Sequence, residues 1–172
     1  MGITERNQKL IEVKKNEIIN GMEKALLSKS YDRLTIDDVA KEAEYSKKTI
    51  YSYFKSKDEI YLELLTRKFN LLYEVLIKEA NTSGKKGIKK IMVLGKAYYR
   101  FAKEFPEYMQ AIISFEAKQQ TENVEESKAI ERFNNETEKS FLLLGEAIKE
   151  GIEEHAISNE TDVISTAILL WA

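Results

Sequence analysis

The chain has 172 residues, of which 43% are hydrophobic and 33% charged, with a formal net charge of −2. That is enough to bury a core in one domain or two small ones, and the absence of cysteine excludes disulfides and thiolate chemistry. No apolar run approaches the roughly 18–20 residues that cross a bilayer, and the polar start from Met1 to Lys9 lacks a signal-peptide hydrophobic region, so the expected address is the cytoplasm, without a membrane.

One proline and seven glycines leave few interruptions, and apolar residues recur at three- and four-residue spacing almost throughout. The chain therefore reads as all-α. An opening helix is expected from Glu5 to Ser28, with Leu10, Ile11, Ile18, Met22, Ala25 and Leu26 on its buried stripe and a polar break at Ser28–Arg33. Three helix-start signals follow in quick succession. Thr35 has Asp38 three residues on, the pairing of a capping box, with Leu34 and Val39 placed as a hydrophobic staple. Ser46 repeats the cap with Tyr45 and Ile50 as staple, and Ser56 repeats it with Glu59. These signals predict helices at Ile36–Ala43, at Lys47–Phe54 and from Lys57 to Ala80. The middle one, only about 10–12 Å long at 1.5 Å per residue, suits a major groove about 12 Å wide.

The segment Asn81–Gly87 reads as a loop, and a helix from Ile88 to Phe105 is stopped by Pro106. A shorter helix is expected over Glu107–Lys118 and a polar stretch over Gln119–Ser127. The helical pattern resumes over Lys128–His155 with Ile130, Phe133, Thr137, Phe141, Leu144, Ile148 and Ile152. Gly145 and Gly151 near that stripe cost helix stability and point to the close approach of another helix. A last apolar helix starts near Ser158 or Thr161, and because it ends without a cap or polar tail its final portion is expected to be missing.

The functional constellation lies around the second short helix. Between Tyr45 and Lys57 stand four lysines (Lys47, Lys48, Lys55, Lys57) and no acid, whereas Phe115–Glu160 is rich in glutamate, so the net charge of −2 does not exclude nucleic acid. In a helix-turn-helix the first helix crosses the phosphate backbone and the first turn of the second reaches base edges. Thr35 opens the first helix, where free amides favour a phosphate, although Asp37 and Asp38 oppose it. Lys47, Lys48 and Thr49 occupy the reading turn, a lysine suiting guanine and a threonine methyl suiting thymine. Ile50 and Phe54 fill the core side, which turns Tyr51 and Tyr53 to other faces. There their hydroxyls, with the ammonium of Lys57, can reach phosphate.

At these residues the sequence resembles the tetracycline-repressor (TetR-type) family of transcriptional regulators. The match runs Leu34-Thr-Ile-Asp-Asp-Val-Ala-Lys-Glu-Ala-Glu-Tyr-Ser-Lys-Lys-Thr-Ile-Tyr-Ser-Tyr-Phe-Lys-Ser-Lys-Asp-Glu-Ile60, within a resemblance that covers Ile11 to Leu65. Glu44 departs from it, since family members usually carry glycine in that turn. The resemblance supports Thr35, Lys47, Lys48, Thr49, Tyr51, Tyr53 and Lys57 as DNA-facing. It implies a helix-turn-helix domain over residues 1–56 and a helical effector-binding and dimerisation domain over 57–172. It also implies a ligand-responsive repressor working as a homodimer on a palindromic operator. The subunits would pair through Lys128–His155 and the helix from Asp162, placing Phe141, Leu144, Gly145, Ile148, Gly151, Ile152, Ile164, Ile168 and Trp171 at the dimer interface.

Met92, Tyr98, Tyr99, Phe101, Phe105, Tyr108, Met109 and Phe115, with Glu116, could line a pocket for a small apolar or amphipathic effector, although such residues are more often plain core. Enzymatic chemistry is not expected. His155 is the only histidine, and the sequence holds no nucleophile elbow, dinucleotide-binding glycine fingerprint or phosphate-binding Gly-Lys-Ser/Thr motif. Acidic pairs such as Glu125–Glu126 read as solvated helix faces, and neither a metal nor a cofactor is expected.

Overall fold

The computed structural model describes residues 3–106, 108, 109 and 128–171. Among the described residues there are seven α-helices and no strand. They are α1 (Ile3–Leu26), α2 (Ile36–Ala43), α3 (Lys47–Tyr51), α4 (Lys57–Ser83), α5 (Gly87–Glu104), α6 (Lys128–Glu153) and α7 (Val163–Trp171), with one 3-10 turn at Tyr31–Arg33. The chain forms two compact units that divide between Leu64 and Leu65, inside α4. No helix among the described residues is long and apolar enough to cross a membrane.

In the first unit the core is built from Ile18, Met22 and Ala25 of α1, Leu34, Val39 of α2, Ile50 of α3, Phe54, and Ile60 and Leu64 of α4, all buried. Removing each of the larger of these side chains from water is worth about 1.5–3 kcal/mol, which fixes two short helices, α2 and α3, that could not stand alone. The apolar stripe expected on α1 holds only in its second half. Leu10 and Ile11 are 55% and 45% exposed, because the first turns of α1 carry the helical repeat past the point where other elements cover it. Gly21 lets α1 and α2 approach: a Cβ there would lie 2.6 Å from the Cβ and 2.8 Å from the amide nitrogen of Ala43.

In the second unit Phe69 of α4 and Phe133 of α6 meet edge to face, with ring centres 5.2 Å apart. The loop between α4 and α5 is shorter than expected, since α4 runs on to Ser83 and Gly87, with φ +53°, already opens α5. Glu150 of α6 secures that start, accepting from the Gly87 amide at 3.1 Å and from the Lys90 ammonium at 3.0 Å. Burial pushes the Glu150 carboxyl up, but these two donors outweigh it and hold it below the usual carboxylate range. The close approach expected at Gly151 occurs within the chain, where the Gly87 Cα and the Ile157 side chain lie against it. The expected helix at Glu107–Lys118 and polar stretch at Gln119–Ser127 lie outside the described residues, apart from Tyr108 and Met109, which are helical.

Candidate nucleic-acid interface

The first unit presents α2 and α3 through a chain of local caps. The Asp38 amide donates to the Thr35 hydroxyl at 3.4 Å and the Asp38 carboxylate accepts from the Thr35 amide at 2.9 Å, completing the capping box. The hydrogen bond from Lys29 and those from the Thr35 amide and hydroxyl hold the Asp38 carboxyl down at about 2. α2 ends at Glu44, which takes the left-handed conformation with φ 58° and ψ 35°. The Tyr45 amide donates back to Ala40 O at 3.0 Å and the Glu44 amide to Lys41 O at 3.3 Å, the two bonds of a Schellman stop. The turn keeps the shape a glycine would give it, at a cost in backbone strain.

That stop hands the chain to Ser46, whose hydroxyl accepts from the Thr49 amide at 3.1 Å and starts α3. Tyr45 is anchored by a hydrogen bond to Glu17 of α1, which pushes its phenol pKa up. Ile50 is wholly buried, so the rotation of α3 about its axis is set and Lys47, Lys48 and Tyr51 are left exposed, Tyr51 by 54%. α3 is shorter than the expected Lys47–Phe54. After Tyr51 the Ser52 hydroxyl turns back to Thr49 O at 2.6 Å and the Tyr53 and Phe54 amides both donate to Ile50 O, at 2.9 and 3.0 Å, closing the chain into a turn. At the next helix start the Ser56 hydroxyl accepts from the Glu59 amide, while the Glu59 carboxylate reaches the amide of Lys55 at 2.6 Å.

The expected DNA-facing residues fall into three groups. Lys48 and Tyr51 are exposed, and Lys47 is exposed but paired with Asp37 of α2 at 2.7 Å. Thr35, Thr49 and Tyr53 are partly committed: Thr35 to its box, Thr49 to a hydroxyl contact with Ser46 at 2.9 Å, and Tyr53 half-buried with the Lys14 ammonium 6.0 Å from its ring centre. Lys57 differs from the expectation. It is half-buried, and its ammonium donates to the main-chain oxygens of Tyr31 and Leu34 rather than standing free for a phosphate. Sequence reasoning missed the partner of Lys57, because a main-chain oxygen leaves no mark in side-chain spacing, and it missed Tyr31 and Tyr61 altogether.

The second unit holds an apolar cavity of about 110 Å³ lined by Leu76 of α4, Ile91, Leu94, Gly95 and Tyr98 of α5, Leu144 of α6, and Leu170 and Trp171 of α7. Of the expected effector residues that are described, only Tyr98 lines it. Met92 and Tyr99 are exposed, Phe101 is buried, and Phe105 and Tyr108 form an aromatic run with it at 4.9 and 5.9 Å between ring centres. Met109 is half-buried, whereas Phe115 and Glu116 lie outside the described residues. Trp171, expected at a dimer face, walls the cavity in the single chain, half-buried, with its ring centre 5.3 Å from that of Tyr98. Leu144, Ile148 and Gly151 are likewise consumed by packing within the chain, Gly145 faces Val163 of α7, and Phe141 and Ile152 are half-buried. Ile164 and Ile168 of α7 are exposed, as are Leu169 of α7 and Leu142 of α6.

Residues 18–64 match the family model of bacterial regulatory proteins of the tetR family, a span that takes in every cap and turn of the α2–α3 region. A comparison with curated proteins finds no match. Among solved structures, the fatty acid degradation regulator FadR from Bacillus halodurans is similar with a TM-score of 0.66 at 18% identity, over 91% of this chain and 80% of that one. The transcriptional regulator FadR from Bacillus subtilis, solved in complex with stearoyl-CoA, gives 0.67 at 18%, over 90% and 80%. A ketosteroid transcriptional regulator of Mycobacterium tuberculosis gives 0.64 at 16%, over 91% and 77%. At these identities the likeness is one of fold. The capped α2–α3 pair lies within the segment that matches the tetR family model, so the likeness to that family rests on residues 18–64.

Proposed function

We propose that the chain is a sequence-specific DNA-binding transcriptional regulator that reads a duplex with α3. The observation that carries this reading is the pair Lys48 and Tyr51, exposed on a helix whose start is fixed by Ser46 and whose inner face is fixed by Ile50. Lys47 and Lys48 in its first turn suit base edges, while Tyr51, with Tyr53 and Thr49 beside it and Thr35 at the start of α2, suits the backbone. The protein acts as a homodimer. Leu142, Ile164, Ile168 and Leu169 expose 54–79% of their surface in a single chain, an apolar area that a second copy would cover. A twofold dimer presents two reading helices to a palindromic operator.

Regulation is by a small apolar or amphipathic ligand that releases the operator, making the protein a ligand-responsive repressor. The cavity beneath Tyr98 and Trp171 supports this, and so does the stearoyl-CoA held by the similar FadR of Bacillus subtilis. At about 110 Å³ the cavity admits one small ring or a short chain end, so a longer ligand must displace the Leu170–Trp171 wall. Selection of bound duplexes from a random pool tests the central reading. A palindromic consensus bound with a steep loss of affinity as salt rises is expected. Failure to retain duplex DNA in dilute buffer would overturn it.

A further inference from the structure

Lys57 opens α4, and what its ammonium touches is the loop that delivers Thr35. It donates to Tyr31 O at 2.9 Å and to Leu34 O at 3.0 Å, and lies 4.1 Å from the centre of the Tyr31 ring. The same ring is stacked on Tyr61, one turn further along α4, with centres 4.1 Å apart and planes at 24°. Its hydroxyl donates to Asp58. Three residues of the first turns of α4 therefore hold a single 3-10 turn by its face, its edge and its main chain. The held segment has no slack, because Leu34 is buried and its own amide returns to Ser30 O at 3.1 Å and Tyr31 O at 3.2 Å. The next residue is Thr35, the cap of α2.

We infer that Lys57 is a positioning residue, which serves DNA binding by fixing the Tyr31–Leu34 loop and thereby the start of α2, and not by contacting a phosphate. An ammonium has three donors, and two are spent here on oxygens within the protein. Turning them to a phosphate would break two charge-assisted hydrogen bonds and strip the half-buried carbonyl groups of a donor, a loss that one more backbone contact does not offset. Lys48 and Lys55 are exposed and can provide the surface charge without this cost.

The inference rests on the DNA-binding reading, and the experiment separates the two. The full chain and its Lys57→Met variant, which keeps the aliphatic stem and loses the donors, are titrated with a duplex selected by the unmodified protein, over a range of salt and well below the melting temperature. The expected result is binding weakened about tenfold with the slope of log affinity against log salt unchanged. Exchange of the amides of Thr35 to Val39 should quicken alongside. A slope shallower by about 0.9 would mean a phosphate contact and overturn the inference. Unchanged affinity with only a lower melting temperature would overturn it as well. If Lys57→Met does not fold, Tyr31→Phe decides in its place: weaker binding at an unchanged slope supports the inference and undiminished binding refutes it. Failure of the unmodified protein to select any duplex would refute the DNA reading itself, and with it any such role for Lys57.

Discussion

Glu44 offers a direct measurement of the strain stored between α2 and α3. Its φ of 58° and ψ of 35° lie in the left-handed region, where a residue with a Cβ pays about 1–2 kcal/mol relative to glycine. Glycine gives back part of that gain, because its unfolded chain is freer by about 0.5–1 kcal/mol. The Schellman bonds of Glu44 and Tyr45 use main-chain groups only, so they survive the change. Glu44→Gly should then stabilise the protein by about 0.5–1 kcal/mol, raising the melting temperature by about 2 °C in a chain of this size. Glu44→Ala is the control, since it removes the exposed carboxylate while leaving the Cβ, and should stay within about 0.5 kcal/mol of the unmodified protein. Thermal and denaturant unfolding followed by circular dichroism supply the comparison. If the glycine variant proves no more stable than the alanine variant, the left-handed turn carries no strain and the reasoning fails.

Gly21→Ala should be destabilising by about 1–3 kcal/mol in the same assay, because the added methyl would meet the Cβ and backbone of Ala43 at 2.6–2.9 Å and α1 and α2 would have to part; a neutral result would mean the two helices have room to spare. The Asp38 carboxyl is lowered from 3.8 to about 2, so its contribution is complete above 3.8 and is lost as the pH falls towards about 2. Acid unfolding of Asp38→Asn should lack that part of the pH dependence, and superimposable pH profiles would count against the capping box. The sole tryptophan, Trp171, walls the cavity, so an apolar ligand entering it should change the intrinsic fluorescence, and Tyr98→Ala should alter that response; saturable binding of such a ligand without any fluorescence change would place its site elsewhere. Lys48→Ala should weaken binding to the selected duplex by about 1–3 kcal/mol and relax the base preference at one position per half-site, as read by repeating the selection; an unaltered consensus would remove Lys48 from base reading.

The limits of α2 were legible in the sequence because Thr35 and Asp38 form a box that needs only local spacing, and the starts at Lys47 and Lys57 for the same reason. The end of α3 was not, since the turn at Ser52 and Tyr53 keeps the helical spacing of Ile50 and Phe54 while changing the hydrogen bonds. Periodicity also carried Leu10 and Ile11 into the core, although a repeat says which face is apolar and nothing about how far a neighbour extends along it. Gly151 announced a close approach correctly but could not name the approaching element, which is Gly87 with Ile157 in the same chain. The cavity draws residues from four helices, an association that tertiary packing creates and no local pattern encodes.

The ion pair between Lys47 and Asp37 has a consequence for selectivity. On the DNA reading, one cation of the reading turn starts out satisfied, and a duplex must win it from a carboxylate before gaining its help. Random sequence, which offers charge alone, receives little beyond an exchange of one anion for another. A cognate site, which adds base-edge partners, can repay the switch, so an acid close to the reading helix would act as a threshold that favours the right sequence over the many wrong ones.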